Sequence, residues 1–279
     1  MSANYCLVAL AIGLVAMPVN AQRATEPAII FGAPWQAEIY TPNKDWTEQD
    51  RQGGKEQWEL AHKCGGALIA LDWVLTAAHC INRQRIRNGY RVRLGALNLA
   101  ADEGATYRID RMVRHASYHK ERHFNDIALV HLAADEQTDA LMADRISTIR
   151  LHAGERLDEG IAVSVTGWGR TGSEKTARYS PELQGVELVT VPCEPAYEAG
   201  RTTDGMLCAS GPGSDSCEGD SGGPLIKTMG KPVLVGIVSW GDGCADPTKP
   251  GVYVRIDGSH YLDWIRRAMA ADPSIDSLD

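Results

Sequence analysis

What this 279-residue chain lacks narrows its function before any motif is read. It has no block of like charge. The 28 basic and 36 acidic side chains, with a formal net charge of -8, are interspersed, so no polybasic stripe offers a footprint for nucleic acid or an anionic lipid surface. Paired C-x-x-C steps are absent, which argues against a zinc ribbon. Helix-period amphipathic runs are scarce. The apolar block Cys6 to Met17 is about a dozen residues, short of the roughly 20 that span a bilayer as a helix, so no membrane anchor is expected. Residues 1–21 contain no Lys, Arg, Asp or Glu and end at Val19-Asn20-Ala21, a small-residue cleavage pattern. Despite the missing basic n-region, this segment reads as a signal peptide, placing the mature chain outside the cytoplasm, secreted or periplasmic.

What is present points to a folded, mostly β protein. Apolar residues make up 44%, with 28 glycines and 13 prolines. Short Val/Ile/Leu/Trp stretches, such as Ala67 to Leu75, Tyr90 to Leu94 and Pro232 to Trp240, are punctuated by turn residues. Removing the signal peptide takes Cys6 and leaves six cysteines: Cys64, Cys80, Cys193, Cys208, Cys217 and Cys244. An even number in an oxidising compartment predicts disulfides, with fifteen connectivities open from sequence.

Three segments stand out together: Thr76-Ala77-Ala78-His79-Cys80, Asn125-Asp126-Ile127-Ala128-Leu129 and Gly219-Asp220-Ser221-Gly222-Gly223-Pro224. Singly, each has an ordinary explanation as a core histidine, a turn aspartate or a glycine loop. Together they supply a hydroxyl nucleophile, a base for its proton and a carboxylate to orient the base, the parts that amide hydrolysis requires. Their order and spacing resemble the trypsin/chymotrypsin family. Cys64-Gly65-Gly66, Gly167-Trp168-Gly169, Met206-Leu207-Cys208-Ala209, Ser239-Trp240-Gly241 and Pro250-Gly251-Val252-Tyr253 extend the resemblance from about Pro34 to Met269.

The resemblance implies an all-β, chymotrypsin-like fold: two six-stranded antiparallel β-barrels, about 22–148 and 149–279, with a C-terminal α-helix. Tyr261 to Met269 suits that helix, with Leu262, Ile265 and Met269 on one face. By the same resemblance Ser221 attacks the scissile carbonyl, His79 takes and returns the proton, Asp126 orients the imidazole, and the N–H groups of Gly219 and Ser221 form the oxyanion hole. The implied disulfides are Cys64–Cys80, Cys193–Cys208 and Cys217–Cys244. Asp215, six residues before the nucleophile, falls at the base of the primary pocket, with Ser216 beside it, Ser239 and Trp240 along it, and Gly241 and Gly251 at its entrance. A carboxylate in a desolvated slot favours a cation, so the expected substrates are polypeptides cut after Arg or Lys. Protein inhibitors are implied partners, and no cofactor is implied. Glu218, beside the oxyanion glycine, is expected to disfavour acidic substrate residues. A catalytically silent protein on the same fold, acting by binding, is the alternative.

The chain also departs from the family. The I-V-G-G start that normally follows an activating Arg or Lys is missing at its usual distance ahead of Pro34-Trp35-Gln36. Ile29-Ile30-Phe31-Gly32 lies too near Pro34, by over about 20 Å of extended chain. Signal cleavage after Ala21 instead leaves Gln22 at the right distance, or Ala24 after trimming at Arg23. Family members pair the new terminal ammonium with the acidic residue before the nucleophile, here Asp220. The stretch Tyr40 to Lys63, including the insertion Thr41 to Lys63 with Trp46 and Trp58, is expected to form an exposed loop. Ala96 stands where trypsins place a calcium-binding carboxylate, so no calcium requirement is expected despite Asp102 and Glu103 nearby. His115, His119 and His123 recur every four residues, but without helical periodicity they read as loop residues rather than metal ligands.

Overall fold

The computed structural model describes residues 33–42, 47–133, 145–172, 177–246, 248–257 and 259–271. The expected signal peptide, the candidate N-termini Gln22 and Ala24, the segment Ile29 to Gly32 and Trp46 lie outside the described residues.

Six strands form the first barrel: β1 (Gln36–Tyr40), β2 (His62–Ala70), β3 (Trp73–Thr76), β4 (Arg91–Leu94), β5 (Ala105–Arg114) and β6 (Ala128–Leu132). They pair antiparallel in the order β1-β2-β3-β6-β5-β4, and β1 closes the ring by pairing with both β2 and β4. Strand β5 shows why: Tyr107, Ile109 and Arg111 turn inward while Arg108 and Asp110 face solvent, the period of two that covers one face of a sheet. Two short connecting elements, α1 (Glu48–Gln52) and α2 (Gln57–Ala61), precede β2, and α3 (Arg83–Arg87) follows β3.

The second sheet contains β7 (Arg150–Leu151), β8 (Ala162–Gly167), β9 (Gln184–Val191), β10 (Met206–Ser210), β11 (Pro224–Lys227), β12 (Val233–Trp240) and β13 (Gly251–Arg255). The order β11-β8-β9-β10-β13-β12 closes through β11–β12, making a second six-stranded antiparallel barrel, and β7 adds a short parallel pairing to β12. Closure leaves neither barrel a long bare edge. Helix α4 (Ser259–Ala270) ends the described chain and buries Tyr261, Leu262, Ile265 and Ala268 against the first barrel's core. Fully buried side chains such as Ile39, Leu68, Leu75 and Leu129 each contribute roughly 1.5 to 3 kcal/mol from surface removed from water.

The insertion corrects one expectation. Thr41 to Lys63 is not simply an exposed loop, because two capping boxes start helices within it. Thr47 and Asp50 cap α1 reciprocally, and Glu56 and Glu59 do the same for α2, satisfying N–H groups that a helix start leaves open. Leu60 and His62 are buried, and Trp58 packs with Ala96, Leu99, Trp168 and Leu183. Arg178 clamps Glu59 with two bonds of 3.1 and 2.7 Å and also reaches the Gly54 carbonyl. That contact ties the insertion to the second half of the chain.

Candidate active site

His79 lies in a single 3-10 turn, Ala78–Cys80, directly after β3, and the Cys64–Cys80 bridge fastens that turn to β2. Asp126 is wholly buried just before β6. The preceding loop reaches it through two left-handed residues, His123 at φ 54° and Asn125 at φ 52°, conformations that side chains disfavour. One Asp126 oxygen accepts the His79 backbone N–H at 2.8 Å, while the other lies 2.7 Å from His79 Nδ1 and accepts Ser239 Oγ–H at 2.6 Å. The carboxylate therefore fixes both the backbone and the ring of His79. Burial alone would raise the Asp126 pKa, but hydrogen bonds from His123, His79 and Ser239, with the charge of His79, outweigh it and hold the carboxyl well below the usual range. Ser239 thus serves this carboxylate, a role that its expected place along the pocket did not indicate.

Ser221 sits in a glycine-rich loop held from the first barrel: Gly65 N–H donates to the Ser221 carbonyl at 2.8 Å. At Gly222 (φ 80°) a side chain would strike Thr76 Oγ1 and the Gly65 carbonyl, so only glycine permits this approach. Ser221, His79 and Gly219 line one cleft of about 670 Å³. No hydrogen bond joins Ser221 Oγ to His79 among the described residues; such contacts are often long before substrate arrives. The Glu218 carbonyl accepts the Arg170 N–H at 2.9 Å. Because the peptide plane is trans, the Gly219 N–H points away from Arg170.

Behind this loop lies a buried charged chain that no motif announced. His62 Nε2 is 3.0 Å from the Gly219 carbonyl, and its Nδ1 is 3.1 Å from Glu38 Oε1. Arg93 Nε stands 3.5 Å from the other Glu38 oxygen. The His62 ring thus bridges β1 and the loop before Ser221, with an oxygen facing each nitrogen. The available signal was Glu38 itself, a carboxylate in the fully buried strand Gln36–Tyr40.

Asp215, Ser216 and Gly251 come together, with Gly251 against Asp215 itself rather than at the pocket entrance. Ser216 donates its backbone N–H to Asp215 Oδ1 at 2.7 Å, and its hydroxyl lies 3.1 Å from Tyr253 Oη. A Cβ on Gly251 would fall 2.5 Å from Asp215 Oδ1, so glycine keeps that approach open. Burial pushes the Asp215 carboxyl up to about 7, against the lowering effect of the Ser216 and Ala245 hydrogen bonds. Gly241 lies near Gly251, with an added Cβ 3.9 Å from its Cα. Trp240 is stacked under the Arg201 guanidinium, 3.7 Å from the ring centroid. The sulfur bridges are Cys64–Cys80, Cys193–Cys208 and Cys217–Cys244, the last beside Asp215 in sequence.

Asp220 is buried and accepts N–H groups from Gly169 and Cys217, each at 2.8 Å. Burial raises its pKa, and no cationic side chain forms an ion pair with it among the described residues. The three periodic histidines diverge: His115 packs on Tyr261 and Trp264, His119 on Phe124, and only His123 approaches the site, 3.4 Å from Asp126 Oδ2. His79, His123 and Asp126 could gather around an ion, with ligand atoms all within 4.8 Å, but the same Asp126 oxygen already takes the short Ser239 bond.

A hydroxyl, an imidazole and a carboxylate beside one cleft suit acyl transfer, and comparison with known proteins agrees. The trypsin family model matches residues 24–265. The chain belongs to the trypsin family. It is similar to serine protease 1 of Homo sapiens and to anionic trypsin of Canis lupus familiaris, each 39% identical over 218 residues, covering 76% of this chain and 81% of the relative. Among solved structures it resembles neuropsin, a serine protease expressed in the limbic system of mouse brain. That match has 33% identity and a TM-score of 0.68, covering 85% of this chain and 94% of neuropsin. The chain is accordingly a serine protease with the trypsin-family fold. No described helix is long and apolar enough to cross a membrane.

Proposed function

We propose that this serine protease is exported and hydrolyses polypeptides after Arg or Lys, with Ser221 as nucleophile, His79 as general base and then acid, and Asp126 as the group that orients the imidazole. The observation that carries the reading is the two-point hold of Asp126 on His79, at 2.8 and 2.7 Å, next to a cleft shared with Ser221. With Nδ1 donating to Asp126, Nε2 is left as the nitrogen to take the serine proton. The oxyanion forming at the scissile carbonyl is met by the N–H groups of Gly219 and Ser221. The Glu218–Arg170 backbone bond supports that assignment by turning the Gly219 N–H the other way.

Specificity follows from Asp215, whose only described hydrogen-bond donors are the neighbouring Ser216 and Ala245 groups. An arriving guanidinium or ammonium would pair with it and lower its pKa, whereas an apolar side chain would leave a buried carboxylate uncompensated. Asp220 supports a matching proposal for maturation: removal of residues 1–21 exposes an ammonium near Gln22 that reaches this buried carboxylate and orders the loop before Ser221. An active-site titrant tests the chemistry. Purified enzyme is expected to form one acyl group per molecule and to cut Arg amides far faster than Phe amides, and Ser221→Ala is expected to abolish both. Acylation surviving in Ser221→Ala would overturn the assignment. Intact mass of the active form checks the N-terminus.

A further inference from the structure

The cleft beside Ser221 carries a charge opposite to that of the molecule. The chain has a formal charge of -8, yet five cationic side chains, Lys55, Lys63, Arg85, Arg170 and Arg178, line this cleft against two carboxylates, Glu59 and Glu218, with Asp50 outside the lining 4.0 Å from Lys55. Both carboxylates are engaged by arginines of the same wall: Glu59 by Arg178 at 2.7 Å, and Glu218 by Arg170 at 3.2 Å. The expected repulsion of acidic substrates by Glu218 is opposed by this balance.

The position of the cleft decides what meets that charge. Asp215, Ser239, Trp240, Gly241 and Gly251 take no part in its lining, whereas His79, Ser221 and Gly219 do. A polypeptide whose Arg or Lys side chain occupies the Asp215 pocket crosses Ser221 and leaves through this second space. The far wall is built by the insertion, through Gly53, Lys55, Glu59 and Leu60, and it is tied by Arg178 to the loop that carries Tyr179. The wall therefore stands on helices with their own caps and on a two-bond clamp.

We propose that this insertion-built cleft selects substrates carrying Asp or Glu in the first residues after the scissile bond. The proposal rests on the proteolytic reading above and adds its leaving-group specificity. A cation about 7 Å from a carboxylate in water is worth about threefold in affinity, and several acting together about tenfold at low salt. At about 1 M salt, with a screening length of about 3 Å, the preference is expected to collapse.

The test uses quenched fluorescent peptides identical through the Arg at the cut and followed by Glu-Glu-Ala, Ala-Ala-Ala or Lys-Lys-Ala, with kcat/KM measured at low and high salt. An Arg anilide with no residue after the cut serves as reference. The expected result is an acidic-over-basic ratio of at least about tenfold at low salt, approaching one at high salt. The same ratio taken within Lys55→Glu should drop by about threefold or more, a comparison that cancels any loss of folded enzyme. A ratio near one in the unaltered enzyme, with all peptides and the anilide cut, overturns this proposal alone. Failure to cut any of them, the anilide included, overturns the proteolytic reading and this one with it.

Discussion

The proposed pairing of Asp215 with a substrate cation is pH-dependent in a way that can be worked out beforehand. Burial lifts its carboxyl from 3.8 to about 7, so on the proposed specificity an arginine side chain meets a carboxylate only in the ionised fraction. For a ligand that binds the ionised form alone, the apparent dissociation constant varies as one plus ten to the power of pKa minus pH. Between pH 8 and pH 5.5 this gives a loss of affinity of about 30-fold, or about 2 kcal/mol. The assay is calorimetric binding of benzamidinium to Ser221→Ala, which removes turnover and keeps the pocket. The stability sign is the reverse. A carboxyl whose folded pKa is raised above its unfolded value is favourable to the fold when protonated, so its contribution is present below about pH 4 and is lost as pH rises toward about 7. Asp215→Asn is therefore expected to raise Tm at pH 8 relative to the unaltered protein, to leave Tm nearly unchanged at pH 4, and to bind benzamidinium weakly at every pH. An affinity that stays flat between pH 5.5 and 8 would refute the reasoning, because the carboxyl would then be ionised throughout.

Two further outcomes follow from contacts already described. At Gly219 (φ 103°) a Cβ would lie 2.5 Å from Tyr179 Cε1 and 3.0 Å from Gly169 Cα, so Gly219→Ala must rotate the peptide that presents the N–H. Its kcat is expected to fall about 10²- to 10³-fold with KM little changed, and a fall of less than threefold in steady-state assays would count against the oxyanion role. Arg178→Ala leaves the Glu59 carboxylate, only 6% exposed, without its clamp, at a local cost of about 1.5 to 3 kcal/mol. Amide exchange across α2 should then quicken about 10- to 100-fold, and unchanged exchange would show that the helix stands without the clamp.

The sequence disclosed the parts whose chemistry forces a residue type in a fixed order. His79, Asp126 and Ser221, put forward because acyl transfer needs those groups, lie beside one cleft, and Asp215, put forward by its register to Ser221, lies against Ser216 and Gly251. The barrels were legible through short strands and alternating patterns such as that of β5. The insertion was misread because its length and polarity resemble a loop; the information lay in Thr47 with Asp50 and Glu56 with Glu59, pairs that act only once each helix begins. Ser239 was placed in the pocket by its segment, whereas its hydroxyl bonds Asp126. The set Glu38, His62 and Arg93 was invisible for a different reason. Its members come from separate strands of the first barrel, and no local pattern links positions brought together only by closure.

That hidden set explains how two barrels make one site. The loop bearing Ser221 belongs to the second barrel by sequence, yet strand β2 of the first holds it at successive points: His62 at the Gly219 carbonyl, Gly65 at the Ser221 carbonyl, and Gly65 again beneath Gly222 and Gly223. His62 is also the first residue of β2, immediately after α2. The element that walls the cleft beside Ser221 therefore leads directly into the residue at the Gly219 carbonyl. Within the same loop, the Asp220 side chain lies against Gly167 and Gly169. On the proposed maturation, a terminal ammonium arriving at Asp220 adds a constraint to a segment whose Gly219 and Ser221 carbonyls are already held, so ordering has only the remaining freedom of the Asp220 side to remove. On the proposed oxyanion role, the cost of pre-forming an anion-binding pair of N–H groups is divided between barrels, because β2 of the first holds the loop that carries Gly219 and Ser221 in the second.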